Sequence, residues 1–432
     1  MPDWITRVRL ENIRGFRELE FEVPMPEATA PCTVIIGKNG TGKSTLLRAI
    51  ALPLVRGEEA FELVRQPNGS YLRAESDAGA AIGVVELQLG AGARMWASFR
   101  RDPDGEIPGS FAESHRANDD VTRRRFWERL FVAAYGSGRT QVGTMRETSF
   151  GSYRVYDSVR ALFDYTTALA NSELTLRRLR DYRDEAWYDA TLRKLSAAIG
   201  LTPDDTISLP RGGGVAVSGP TIGADIPLEA WADGYRLTLA WIMDMYAWAM
   251  RAEAIDDEGD INGILLLDEV EQHLHPSMQL QAIPRLRAQF PKLQIFATTH
   301  SPLVALSVKP EELVSLKRLD DGSVVRVEVP NYTGYSAEDM LVDDNLFDAD
   351  VYSPETVEKL RRYRELAAKP PPPRRRRGGP AASAASAAAA DESELKQLGA
   401  ELRAMAIPEV QAGPQADAVR ELLTRYGRQP EP

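Results

Sequence analysis

The sequence predicts an α/β fold: a mixed sheet around a phosphate-binding loop, an antiparallel β part at the N-terminus, and an inserted helical subdomain. Three observations predict it. The apolar run Val34-Ile35-Ile36 leads through GKNGTGKST into STLLRAIALPL, so a buried strand turns into a helix across glycines. Two more short apolar runs, Ile264–Leu267 and Leu293–Thr298, read as further buried strands of a parallel sheet. Between these sets, residues 156 to 199 repeat with helical spacing, and Leu162, Leu169, Leu176, Leu179, Tyr182 and Trp187 are the inward candidates.

Residues 4 to 23, WITRVRLENIRGFRELEFEV, alternate apolar and polar about a turn at Asn12 to Phe16 and predict a β-hairpin. IGVVELQL and RMWASF, parted by LGAGA, extend that antiparallel part. Residues 100 to 120 read as a polar loop, and RRRFWERLFVAAYGSGR as a short strand or helix ending in a glycine turn. LPRGGGVAVSGP returns the chain to a long apolar helix within Trp231–Met250, opened by a turn at Asp233-Gly234. The predicted organisation is a lobe over 1–155, the helical subdomain over 156–210, a second lobe over 211–345, a helical extension over 346–368, a Pro/Arg/Ala-rich linker over 369–391 and short helices over 392–432.

Composition narrows the function classes. The chain has 432 residues and is 43% hydrophobic, with no apolar run of about 18 residues and no signal-peptide pattern, which predicts a cytoplasmic protein without membrane attachment. The single Cys32 excludes an internal disulfide, and four histidines are too few for a zinc-spacing cluster. A net charge of −11 argues against a globally basic nucleic-acid binder and leaves a local basic patch open.

The chemistry is concentrated in three places. Gly37, Gly42, Lys43 and Ser44 fill the fixed positions of G-x-x-x-x-G-K-[ST], with Asn39, Gly40 and Thr45 completing the turn. Backbone N–H groups and the helix dipole converge there into a triphosphate cradle, with Lys43 for the β and γ phosphates and the Ser44 hydroxyl for Mg²⁺. Asp268 and Glu269 end the second strand at the carboxyl edge where a parallel α/β sheet binds its ligand, so Asp268 is the Mg²⁺ candidate and Glu269 the base for an attacking water. The competing role for this pair is to cap the next helix. His300 follows the third strand at the same edge, placed to donate to a phosphate or orient water; elsewhere a lone histidine is an ordinary surface or core residue.

The hairpin with ENIRGF, the loop GKNGTGKST, the Asp233-Gly234 turn before a helix, DEVEQHLHP and ATTHSP together resemble the ABC-type head of bacterial AAA-family ATPases related to the SMC, RecF, OLD and PtuA proteins, over about residues 1 to 345. The resemblance implies ATP and Mg²⁺ as cofactors, Lys43 as the Walker A lysine, Asp268 and Glu269 as the Walker B pair and His300 as the switch histidine. It implies a homodimer with ATP sandwiched between one subunit's Walker motifs and the other's signature turn, here WADGY, which leaves Asp233, Gly234 and the helix N-terminus for the phosphate. Ala232 stands where the family has a serine, and the Q-loop residue is open among Gln66, Gln88 and Gln141.

The expected function is an ATP-hydrolysing sensor or clamp that associates with DNA or regulates an effector protein, in DNA repair or phage defence. The alternative is an ATP-bound scaffold with little hydrolysis that holds a nuclease or toxin inactive. About 185 residues between Walker A and signature are too few for a long coiled coil, and a transporter role is disfavoured by the ENIRGF hairpin. Asp343, Asp344, Asp348 and Asp350 read as a solvated loop and helix cap in preference to a nuclease metal site. The clusters Arg123–Arg125 and Arg177–Arg183 fit a phosphate track or a solvated helix face, and Arg374–Arg377 a spacer.

Overall fold

The computed structural model describes residues 4–65, 71–73, 82–90, 92, 94–100, 130–139, 153–210, 214–220, 222–349, 351–367, 391, 393–402 and 405. They belong to two compact units, Met1–Ala349 and Asp350–Pro432. In chain order the first unit runs β1 (Ile5–Ile13), β2 (Phe16–Glu22), β3 (Cys32–Ile36), α1 (Lys43–Ala51), α2 (Gly57–Arg65), β4 (Ile82–Leu89), β5 (Arg94–Arg100), β6 (Val132–Tyr135), α3 (Val155–Phe163), α4 (Ser172–Tyr182) and α5 (Glu185–Ile199). It continues with β7 (Thr206–Ser208), β8 (Ala216–Gly219), β9 (Gly223–Pro227), α6 (Asp233–Arg251), β10 (Gly263–Leu267), α7 (Pro276–Gln279), α8 (Ala282–Gln289), β11 (Leu293–Thr298), α9 (Pro302–Leu306), β12 (Leu313–Arg318), β13 (Val324–Val327) and α10 (Ala337–Val342).

Six strands form the central sheet in the order β13-β12-β3-β11-β10-β6, parallel except for β13. A second sheet, β2-β1-β4-β5, is antiparallel throughout, so the α/β class with an antiparallel N-terminal part is observed. Successive side chains of a strand point to opposite faces, and here both faces are apolar. Ile264 and Leu266 join Ile35, Val132 and Phe296 in the core beneath α1 and the antiparallel sheet. Leu265 and Leu267 join Val34, Ala133 and Ile295 in the core that holds α4, α5 and α6. Gln294, fully buried on β11, stitches the sheets together, accepting from Ile5 N and donating to Ile5 O at 2.8 Å each.

Local signals set the helices. Asn171 caps α4 by accepting from Leu174 N, Asp184 caps α5 by accepting from Trp187 N, and Gly200 ends α5 at φ 88°. Leu162, Leu169, Leu176 and Leu179 are buried as the spacing predicts, with Tyr182 and Trp187 packed at the core's margin. In α6 every residue from Leu239 to Ala249 is buried, including one acid, Asp244. Its Oδ2 accepts from Tyr135 Oη at 2.8 Å and its Oδ1 from Ala170 N at 2.7 Å.

Burial raises the Asp244 pKa to about 6, against the pull of those hydrogen bonds. Between the ordinary aspartate value and about 6 the native state therefore binds the extra proton, so stability is highest below this window and is lost as pH rises through it. Asp244→Asn flattens that part of the curve, an effect of roughly 1–3 kcal/mol. Urea melts of both proteins at pH 4.5 and 7 check it; equal slopes would show that Asp244 does not titrate there.

Some elements escape the sequence reading. These are α2, β12 and the small sheet β7-β8-β9, which includes and flanks the glycine-rich return; VAAY, expected as a short strand or helix, is a strand. In the second basic cluster Arg177 pairs with Glu173 at 2.7 Å and Arg183 with Asp257 at 2.6 Å, as on a solvated face. Arg123–Arg125, Arg374–Arg377 and Asp350 lie outside the described residues. Asp348 pairs with Lys38 at 2.8 Å, and among the described residues no group of three His, Cys, Asp or Glu side chains is placed to hold a metal. No helix of the described residues is long and apolar enough to cross a membrane. In the second unit, α11 (Pro354–Ala367) packs Leu360 and Tyr363 with Leu402, and Leu366 is also buried.

Candidate nucleotide site

The parallel register brings four strand ends to one edge. Leu267 is level with Ala297 on one side and Tyr135 on the other, and Thr298 pairs with Ile35, so the residues after β3, β6, β10 and β11 all emerge together. From β3 the chain enters the glycine turn and leaves it as α1, whose N-cap Gly42 sits at φ 86° with no side-chain cap. That left-handed backbone disfavours any side chain, and a Cβ there would also meet the Phe16 ring at 3.0 Å. Lys38, Asn39 and Gly40 are exposed, while Lys43 is buried and its Nζ donates to Gly37 O at 2.7 Å and Lys38 O at 3.0 Å. Burial pushes the Lys43 ammonium down to about 8, with Asp268, Glu271 and Glu269 pulling the other way.

Asp268 is buried at the end of β10, where its Oδ1 accepts from Ser44 Oγ at 3.1 Å and from Thr298 Oγ1 at 2.5 Å. Its other oxygen, Oδ2, is buried with no hydrogen-bond partner. This arrangement fits Mg²⁺: the donors are hard oxygens, two cis positions on an octahedral ion at roughly 2.1 Å lie about 3 Å apart, and an unsatisfied carboxylate oxygen remains. Ser44 and Asp268 are the residues that would hold it, as the sequence predicts. Glu269 is half-buried; burial, with Asp268 and Glu271, raises its pKa, while Arg139 and Lys43 oppose the rise. His300 is exposed at the same edge, and its pKa is lowered by the packing around the ring and by Lys43, with Glu271 and Asp268 opposing.

No regular helix starts directly after the acid pair, so the helix-cap role does not apply; α7 begins only at Pro276. Asp233 and Gly234 lie on a different element from the cradle. They open α6, Asp233 pairs with Arg236 at 2.7 Å, and a Cβ on Gly234 would lie 2.5 Å from His273 O. The glycine thus lets the α6 turn touch the loop that follows Glu269 within one chain, and any substitution there disturbs this packing first. Ala232 is the exposed N-cap of α6, without a side-chain cap. Of the glutamines, Gln88 lies on β4 in the antiparallel sheet, and Gln66 and Gln141 lie outside the described residues.

Sequence reasoning missed the residues that tie the loops together. Glu271 accepts from Thr299 Oγ1 at 2.7 Å and from His300 N at 2.6 Å, joining the acid loop to the histidine loop. Thr298 accepts from Glu269 N at 2.8 Å, and buried Arg139 donates to the backbone of Asp268 and Glu269. Only the phrases DEVEQ and YGSGR held any signal for them, since a bond to a main-chain carbonyl leaves no side-chain partner to find.

Comparisons with known proteins bear on the family of the chain. Residues 7–63 match the family described as "AAA domain", and residues 152–307 the one described as "AAA domain, putative AbiEii toxin, Type IV TA system". The chain is 26% identical over 373 residues to "Septu protein PtuA" of Bacillus mycoides (strain KBAB4), covering 85% of this chain and 48% of that protein, so it spans about half the length of that relative. Among solved structures it is similar to "SMC head domain from Thermotoga maritima", at 15% identity and a TM-score of 0.42, covering 76% of this chain and 99% of that one. With "Retron Ec83 probable ATPase" of Escherichia coli it shares 45% identity over 396 residues, covering 72% of this chain and 71% of the relative. The chain belongs to the family of that retron ATPase, a bacterial group with AAA domains related to PtuA.

Proposed function

We propose that this protein binds and hydrolyses MgATP at the carboxyl edge of its parallel sheet, and that ATP closes two copies head to tail into a clamp that controls an effector in phage defence or DNA repair. The convergence of Lys43, Ser44, Asp268, Glu269 and His300 on one edge carries this reading. Mg²⁺, when bound, supplies charge neutralisation and orientation for the transferred phosphoryl group. Lys43 exchanges its two carbonyl acceptors for phosphate oxygens, which are stronger partners for a buried ammonium. Glu269 takes the proton of the attacking water, and burial with the neighbouring acids Asp268 and Glu271 makes it a stronger base than an ordinary glutamate. His300 orients that water or donates to the γ-phosphate. The likeness to a Septu protein and a retron ATPase supports the defence setting and an effector partner; DNA remains a second candidate partner and the cytoplasm the expected compartment.

Titration with a fluorescent ATP analogue, phosphate release and light scattering with and without ATP test the proposal together. Absence of nucleotide binding would overturn it. Binding without phosphate release would leave the second reading, the ATP-bound scaffold that restrains a nuclease or toxin, which the missing hydroxyl at Ala232 favours. Ala232→Ser separates the two. It adds an N-cap to α6 and raises stability by about 1 kcal/mol whichever reading holds. Only where the α6 N-terminus closes on phosphate does it also raise turnover, which a phosphate-release assay of both proteins detects.

A further inference from the structure

We propose that Arg139 is the positioning residue of the hydrolytic loop, pinning the backbone on both sides of Glu269 so that this base is held in one conformation beside the cradle. The inference rests on the reading of Glu269 as the general base. β6 lies next to β10, and the turn Gly136-Ser137-Gly138-Arg139 that follows β6 therefore runs beside the turn that follows β10. The Arg139 guanidinium is buried there. Nη1 donates to Asp268 O at 2.6 Å and to Gly136 O at 3.1 Å, and Nη2 donates to Glu269 O at 2.8 Å.

Glu269 itself sits at φ 49°, a left-handed conformation that a residue with a Cβ holds only when its surroundings fix it. Two residues do so from opposite sides. In the peptide unit before Glu269, the carbonyl of Asp268 accepts from Arg139 and the N–H of Glu269 donates to Thr298 Oγ1 at 2.8 Å. In the unit after it, the carbonyl of Glu269 accepts from Arg139 and the N–H of Val270 donates to Thr298 O at 3.0 Å. Both peptide planes that define the φ and ψ of Glu269 are thus held at each edge. A planar guanidinium with parallel donors can bridge two successive carbonyls; a lysine ammonium, a point donor, does not reproduce that fork. The position of Arg139 also offsets the three acids Asp268, Glu269 and Glu271, which act on it against the effect of its own burial.

The test is Arg139→Lys, which keeps the charge and loses the fork. The expected result is a fall in kcat of about 10- to 100-fold with ATP affinity and KM within about threefold, because the cradle residues are untouched. In a Glu269→Gln background the same substitution lowers the residual rate no further, since its effect runs through Glu269. Amide exchange over residues 268–271 in the nucleotide-free protein quickens, while α6 keeps its protection. An equal loss in both backgrounds, an unchanged kcat, or affinity falling in parallel with kcat would overturn the assignment. If wild type shows no hydrolysis, the general-base reading fails on its own, and unchanged exchange over 268–271 would then overturn the pinning as well. Arg139→Gln, which keeps donors in one amide group and loses the fork, is the second variant should Arg139→Lys not fold, with the same non-additivity expected.

Discussion

Lys43→Ala removes measurable ATP binding while leaving the fold intact. Hydrogen bonds to charged groups are worth about 1.5–3 kcal/mol each, and a Walker A lysine makes them to two phosphates, so affinity falls by roughly 10² to 10⁴. Stability responds differently. The ammonium is buried, its pKa pushed down to about 8, and it spends its donors on the carbonyls of Gly37 and Lys38. Alanine forfeits those two bonds and also relieves the burial of a cation, two effects of opposite sign. The expected Tm change is therefore small, within a few degrees, and a titration with a fluorescent ATP analogue beside a thermal melt separates lost binding from lost fold. Retained affinity in a folded variant would mean that the glycine turn does not serve the triphosphate.

Most of this site was legible because it is built from contiguous motifs whose spacing is fixed by strand-to-helix geometry. GKNGTGKST and the acids after GILLL announce a strand end, and the parallel register then forces those ends together. The ties between the loops were not legible. Thr298, Glu271 and Arg139 are set by contacts between separate strand ends, and all three act on backbone atoms, which no residue pattern encodes. Gly234 shows the limit from the other side. Its turn was visible, but the sequence does not reveal that the absent Cβ makes room for His273 O in the same chain. Likewise β12 was missed because LVSLKR mixes apolar and polar residues, its burial coming from β3 on one side and β13 on the other.

Glu269→Gln keeps ATP affinity, slows turnover by about 10² or more, and accumulates an ATP-bound dimer. The backbone at Glu269 is held through its own N–H and carbonyl, so an amide side chain inherits the same position without the ability to take a proton. In wild type the raised carboxyl pKa means that the base is lost as pH falls through a window above the ordinary glutamate range; the variant lacks that acid limb. Removing one of three neighbouring negative charges, beside Asp268 and Glu271, also makes the nucleotide-free variant slightly more stable. The dimer follows from linkage: if ATP binds the closed state more tightly than the open one, blocking hydrolysis keeps the population closed. Phosphate release, ATP titration and light scattering on one preparation read all three quantities. Wild-type turnover in the variant would assign the base elsewhere, with His300 another candidate on that edge. Monomeric mass with ATP and Mg²⁺ in both proteins would remove the head-to-tail clamp while leaving the nucleotide site as described.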